Sequence, residues 1–139
     1  MKCHLIVVLL SLNLSVVAQS GIYVKELVTT DEIKIKWTLA LHEDGTFLYH
    51  FLRDLSAISK ANTEENFYGK GTWDLDGKSV IFYSNEGDLN GQYTVNLKNS
   101  KARYITKSPR DKSDKIVKTA LLFYESETFH VKGLELYKD

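Results

Sequence analysis

The sequence predicts an all-β protein: an antiparallel up-and-down meander of about eight to nine strands closing into a barrel, with a two-sheet sandwich as the alternative. Three observations predict it. Apolar residues recur at every second position through most of the chain after residue 20. Short turn signals such as Glu43-Asp44-Gly45 and Asp76-Gly77 separate those runs. No stretch of roughly 10 to 15 residues has helical periodicity. Closure removes the edges that an open sheet of this kind would expose.

Residues 1–20 stand apart from this pattern. Lys2 supplies one positive charge, residues 5–14 form an apolar run interrupted by Ser11 and Asn13, and Val16-Val17-Ala18-Gln19-Ser20 offers small residues for a peptidase, cutting after Ala18 or Ser20. That order reads as a cleaved Sec-type signal peptide, with residues 21–139 as a single secreted or periplasmic domain. The apolar core is about half of the roughly 20 residues needed to span a bilayer, so no transmembrane segment is expected after cleavage. Cys3 precedes the apolar run, whereas a lipoprotein cysteine would follow it. Losing Cys3 leaves the domain without cysteine, so its core alone must hold it together. About 120 residues suffice, since a chain of that size hides roughly two-thirds of its unfolded surface.

The strands follow in order. Ile33, Ile35, Trp37, Leu39 and Leu41 alternate with polar or small residues, and Phe47, Tyr49 and Phe51 repeat the pattern after the first turn. A three-residue loop with Gly45 in the left-handed conformation pairs His42 with Thr46 and sets Leu41, Leu39 and Trp37 against Phe47, Tyr49 and Phe51. A two-residue loop would move the aromatics to the other face, so the three-residue loop is expected. Asp76-Gly77 is a favoured type I′ pair, placing Trp73 opposite Val80 and Asp74 opposite Ser79. Tyr93, Val95 and Leu97 are expected to pair with Ala102 and Tyr104 across Asn99-Ser100. The last hairpin runs through Ala120, Leu121, Leu122, Phe123 and Tyr124, turns at Glu125-Ser126-Glu127, and returns through Phe129 and Val131. There the apolar phase changes to Leu134 and Leu136, and Gly133 marks the break. Residues 53–67 read as a long loop or a single helical turn, with Leu55 and Ile58 three apart.

Asp44-Gly45-Thr46-Phe47, then Gly71-Thr72-Trp73 leading to a strand with Val80 and Phe82, resembles the small secreted lipocalin-like domains of Gram-negative bacteria. In those a D-G-T-F hairpin is followed by G-x-W and a further strand. The resemblance follows the strand pattern over residues 22–137. It implies a calycin-type antiparallel barrel, of a kind that often encloses a small apolar ligand.

Catalytic patterns are missing from the sequence. There is no G-x-S-x-G for a nucleophile elbow and no phosphate-cradling G-x-x-x-x-G-K-S/T. The acidic pairs Asp31-Glu32, Glu43-Asp44 and Glu64-Glu65 fall at turns, where carboxylates are ordinary solvated groups. His42 and His50 are expected on one outer face, roughly 13 Å apart, too far to share a zinc ion. Gly69 and Gly71 read as close-packing positions. The expectation is therefore a non-enzymatic protein with no metal or cofactor.

Binding is what remains. The 18 basic and 18 acidic residues balance, which with the export signal disfavours nucleic acid. The charges are segregated, however: net −5 over residues 21–97, +6 over 98–118 and −2 over 119–139. Trp37, Tyr49, Phe51, Trp73, Phe82 and Tyr104 are expected to face inward, where they would line a pocket for a small, mostly apolar or amphipathic ligand or else fill the barrel. Arg103, Lys107, Arg110, Lys112 and Lys115 are candidates for holding an anionic group. The alternative function is an envelope or protein-interaction module with a filled core, meeting an acidic protein or envelope surface through residues 98–118.

Overall fold

The computed structural model describes residues 18–59 and 63–139. All but the last three positions of the expected signal peptide lie outside the described residues. Eight strands succeed one another: β1 (Gly21–Val28), β2 (Lys34–Leu41), β3 (Thr46–Asp54), β4 (Glu64–Asp76), β5 (Ser79–Tyr83), β6 (Lys101–Ile105), β7 (Ala120–Glu125) and β8 (Glu135–Lys138). Each pairs antiparallel with its neighbours in sequence, and β8 pairs with β1 to close a barrel, which excludes the sandwich. The closing seam is short, with only Tyr23 opposite Lys138 and Val24 opposite Tyr137. The connections after β1, β3, β5 and β7 gather at one end, here the upper mouth. The 42–45 and 77–78 turns and the 106–119 connection lie at the lower end.

The β2–β3 hairpin has the expected register, with Leu41, Leu39 and Trp37 opposite Phe47, Tyr49 and Phe51. His42 N–H donates to the Thr46 carbonyl at 2.9 Å, and Gly45 sits at φ +86°, a conformation glycine adopts without a Cβ clash. The Asp44 carboxylate accepts from the Thr46 N–H at 2.9 Å and from its hydroxyl at 2.6 Å. These bonds hold its pKa below the ordinary carboxylate value.

The β4–β5 turn differs from expectation by two residues. Trp73 pairs with Phe82, Leu75 with Val80 and Asp76 with Ser79, so the central pair is Gly77-Lys78 rather than Asp76-Gly77. Gly77, at φ +59°, takes the first central position, where a type II′ turn places glycine. A two-residue slip leaves every side chain on its face, so apolar alternation does not detect it.

Further expectations are corrected. Tyr93, Val95 and Leu97 do not pair with β6, which lies between β5 and β7. Instead Tyr93 bridges Tyr68 in parallel, and Val95 N–H donates to the Tyr68 carbonyl at 2.9 Å. The reason is a mismatch of length: β4 has 13 residues and β5 only 5, so the upper half of β4 would expose an edge that residues 93–95 cover. The turn that follows centres on Lys98-Asn99, with Asn99 at φ +63°. Likewise Phe129 and Val131 are not in a strand, since residues 126–134 fold as a loop and β8 starts at Glu135. Val131 is buried and Phe129 is 82% exposed. Gly133, at φ +86°, donates its N–H to the Phe123 carbonyl at 2.7 Å, marking the phase break where it was expected. Between β3 and β4 the irregular segment is shorter than 53–67, and it does contain the single helical turn: Ser59 N–H reaches the Leu55 carbonyl at 3.0 Å.

The middle and lower barrel are solid. Phe47 meets Phe82 edge-on at 5.2 Å between centroids, and Phe82 stacks on Phe123 at 5.3 Å. Leu39, Val80, Leu121 and Leu136 are fully buried around them. Each such side chain contributes about 1.5–3 kcal/mol by leaving water. Gly71 makes this packing possible, because a Cβ there would lie 2.1 Å from the Tyr83 carbonyl oxygen and 2.9 Å from Phe47 Cε1.

Candidate ligand recess at the barrel mouth

Opposite residues on adjacent strands share a face, so pairing builds a continuous row across the inner wall of the upper half. Lys25 on β1 pairs with Trp37 on β2, Trp37 with Phe51 on β3, and Phe51 with Phe67 on β4. Ring centroids are 5.3 Å apart for Trp37–Phe51 and 5.9 Å for Phe51–Phe67. One row deeper lie Tyr23, Leu39, Tyr49 and Gly69. Because Gly69 has no side chain, Val95 fills that place; a Cβ there would be 2.7 Å from the Val95 carbonyl oxygen.

These rows and two loops enclose an open recess of about 210 Å³, lined by Tyr49, Phe51, Phe67, Val95, Thr128, Phe129 and His130. The two loops are latched together. Ser100 and Ser126 hydroxyls meet at 2.8 Å, and the Thr128 hydroxyl donates to the Asn96 carbonyl. Phe67 is 40% exposed at the rim, and Phe129 projects beside it. Burial pushes the Tyr49 phenol pKa well above its ordinary value, so the side chain stays neutral further into alkali than an exposed tyrosine. Ligand sites commonly exceed about 300 Å³. A recess of this size takes a ring or a short chain, with the rest of a larger molecule left outside.

The six inward-facing aromatics thus have different fates. Tyr49 and Phe51 line the recess, and Trp37 packs against Phe51 behind it. Phe82 is part of the solid core. Trp73 ties down the β2–β3 hairpin: its indole N–H donates to the His42 carbonyl at 3.0 Å. Tyr104 is half-buried at the lower end, where its hydroxyl donates to the Ala18 carbonyl at 3.2 Å. Sequence reasoning missed Phe67, Val95, Thr128, Phe129, His130 and Lys25. The alternation of Phe51 and the position of Phe67 beyond an exposed loop contained a signal only for Phe67.

The basic candidates sit at the other end of the molecule. Arg103 is exposed on β6, 5.9 Å from the Tyr124 ring, and the Lys107 ammonium donates to the Ser113 carbonyl. Arg110, Lys112 and Lys115 are exposed on the 106–119 connection. Among the described residues none of these five is ion-paired. Arg103 also lines an open lower cleft of about 640 Å³ with Lys78, Tyr104, Ser108 and Gln19. His42 is exposed at the lower hairpin, whereas His50 stacks on Tyr68 at 4.5 Å and bonds Asn66 at 2.7 Å on the outer wall. Among the described residues no three histidine, cysteine, aspartate or glutamate side chains converge.

No protein-family model matches the chain, and neither a curated protein nor a solved structure is found to be similar.

Proposed function

We propose that the protein is a non-enzymatic, exported, lipocalin-like barrel that binds the apolar part of a small molecule in its upper mouth. The carrying observation is the recess itself: an apolar wall of Tyr49, Phe51, Phe67 and Val95, rimmed by exposed Phe129, above a tightly packed core. Exposed aromatics beside a concave apolar surface are costly in water unless something covers them. The export part of the reading rests on the charge, apolar run and small residues of positions 1–20.

Native mass spectrometry of protein purified mildly from its source organism tests the reading. A reproducible extra mass, lost on gentle activation and missing from a folded Phe67→Ala/Phe129→Ala variant, is the expected result. An unliganded mass that persists after incubation with a lipid extract of the same cells overturns it.

The unpaired basic residues support a second reading, contact with an acidic partner surface through residues 98–118. Reversing Lys112 and Lys115 to glutamate should then weaken partner capture in a salt-dependent way. Salt-independent capture counts against it.

A further inference from the structure

The lower end of the barrel holds the stretch of chain just ahead of β1. The Ala18 carbonyl accepts from the Tyr104 hydroxyl at 3.2 Å and from the Lys138 ammonium at 3.1 Å. Lys138 lies across Gly21, where a Cβ would be 2.8 Å from its Cε. The Gln19 carbonyl accepts from the Tyr23 hydroxyl at 2.6 Å. Gln19 also lines the lower cleft, and its side-chain Oε1 is buried with no hydrogen-bond partner among the described residues. A buried acceptor left open is unfavourable and calls for an explanation. Two donors thus converge on a carbonyl that an export peptidase would remove, beside a side-chain amide whose oxygen has no donor.

We propose that the chain is cut after Ala18 and that Gln19, then the first residue, closes on itself to an N-terminal pyroglutamate seated beside Tyr23, Tyr104 and Lys138. This rests on the export part of the proposed function. Val16 and Ala18 give a peptidase small uncharged residues at −3 and −1. A cut after Ser20 would discard the residue that bonds Tyr23 and lines the cleft. A cut after Ala18 keeps it and turns the Gln19 nitrogen into a primary amine. Covalent geometry puts that nitrogen about 2.3 Å from the Ala18 oxygen, so both donors to that oxygen lie within about 5.5 Å of it. A protonated amine would set a second positive charge beside Lys138, which has no ion-pair partner among the described residues. The Lys138 charge therefore favours the uncharged amine, which is the nucleophile. Its lone pair attacks Gln19 Cδ and the Cδ–Nε2 bond breaks. One amine proton passes to the departing nitrogen, which leaves as ammonia. The product is a neutral five-membered lactam whose carbonyl oxygen is the former Oε1. That oxygen again belongs to an amide on the Gln19 nitrogen, so the open acceptor comes to the two donors that lost the Ala18 carbonyl. The closed terminus carries no charge and offers no amine to an aminopeptidase.

Mass spectrometry of the whole protein and of its terminal peptide, purified from the periplasm or medium of its source organism, reads both the cut and the closure. A synthetic peptide with the sequence of residues 19–25, carried through the same digestion, reports any closure caused by handling. The expected chain runs from residue 19 to 139 and is lighter than its sequence requires by one ammonia. Gln19→Asn has a side chain too short for the five-membered ring. It should be cut at the same place, keep its full mass and unfold a few degrees below the parent. Adding Lys138→Gln to both should narrow that difference, because the free amine then faces no charge. A chain that starts at Gln19 with its full mass, or one that starts at Gly21, overturns the inference and leaves export standing. Unfolding of Gln19→Asn at the parent's temperature overturns the seating beside Tyr104 and Lys138. A chain that still carries residues 1–18 overturns both this inference and the export reading on which it rests.

Discussion

Replacing Gly71 by alanine tests the packing that makes the lower barrel solid. In an ordinary strand this change is favourable by roughly 0.5–1 kcal/mol, because glycine loses more backbone entropy on folding. Here the new Cβ would be 2.1 Å from the Tyr83 carbonyl oxygen, 2.9 Å from Phe47 Cε1 and 3.1 Å from Ser84 Oγ. The nearest of these is backbone, in the strand paired with β4, so relief requires β4 and β5 to separate by about 1 Å beside the Thr72–Tyr83 pair. Overpacking of this kind costs about 1–3 kcal/mol or more, which outweighs the entropic gain. Gly87→Ala is the control, since a Cβ there meets nothing within 4 Å. It should be neutral or stabilising by up to about 1 kcal/mol. Urea unfolding followed by tryptophan fluorescence measures both. A Gly71→Ala protein within about 0.5 kcal/mol of the parent would refute the close approach of Gly71 to the Tyr83 carbonyl.

Further predictions follow from other contacts. Phe82→Ala removes the ring between Phe47 and Phe123 and should cost about 3–5 kcal/mol in the same unfolding assay. Trp73→Phe keeps the packing but loses the bond to the His42 carbonyl, and should cost about 1 kcal/mol. Asp44 has a folded pKa below its unfolded value, so its turn bonds stabilise fully above that unfolded value and are lost as pH falls through the folded pKa. The stability gap between parent and Asp44→Ala should accordingly be flat near neutrality and close in acid, and a gap independent of pH would contradict it. Tyr49 and Tyr23 have pKa values raised by burial, so the neutral phenols stabilise the barrel below the unfolded value and that contribution is lost in stronger alkali. In a spectrophotometric titration both should ionise after the exposed tyrosines, Tyr49→Phe removing one late component.

How far the sequence carries can be judged hairpin by hairpin. Around Asp44-Gly45 two apolar arrays must share one face, and parity alone decides between a two- and a three-residue loop. At Asp76-Gly77 parity is blind, because pairings two residues apart bury the same side chains. Turn chemistry then chose the wrong central pair, since Asp-Gly suits type I′ while Gly77 serves equally well at the head of type II′. Tyr93 and Val95 alternate like strand residues and do lie against a strand, but β4 rather than β6. That assignment depends on β5 being short, which no local pattern announces. The recess divides in the same way. Tyr49 and Phe51 were legible from inward alternation. Val95, Thr128, Phe129 and His130 reach it from loops whose course is fixed by Gly69, by Gly133 and by the latch between Ser100 and Ser126.

The two-pair seam between β1 and β8 bears on how the barrel assembles. Every other neighbour is joined by a connection within one part of the chain, so those ladders can form from local encounters. The seam alone must bring together residues 23–24 and 137–138, and it gains few ladder bonds for doing so. It is therefore the last ladder to form and the first to open, a built-in point of entry for strand exchange and for solvent. Amide hydrogens along the seam should exchange well ahead of those between β2 and β3, which share eight register pairs.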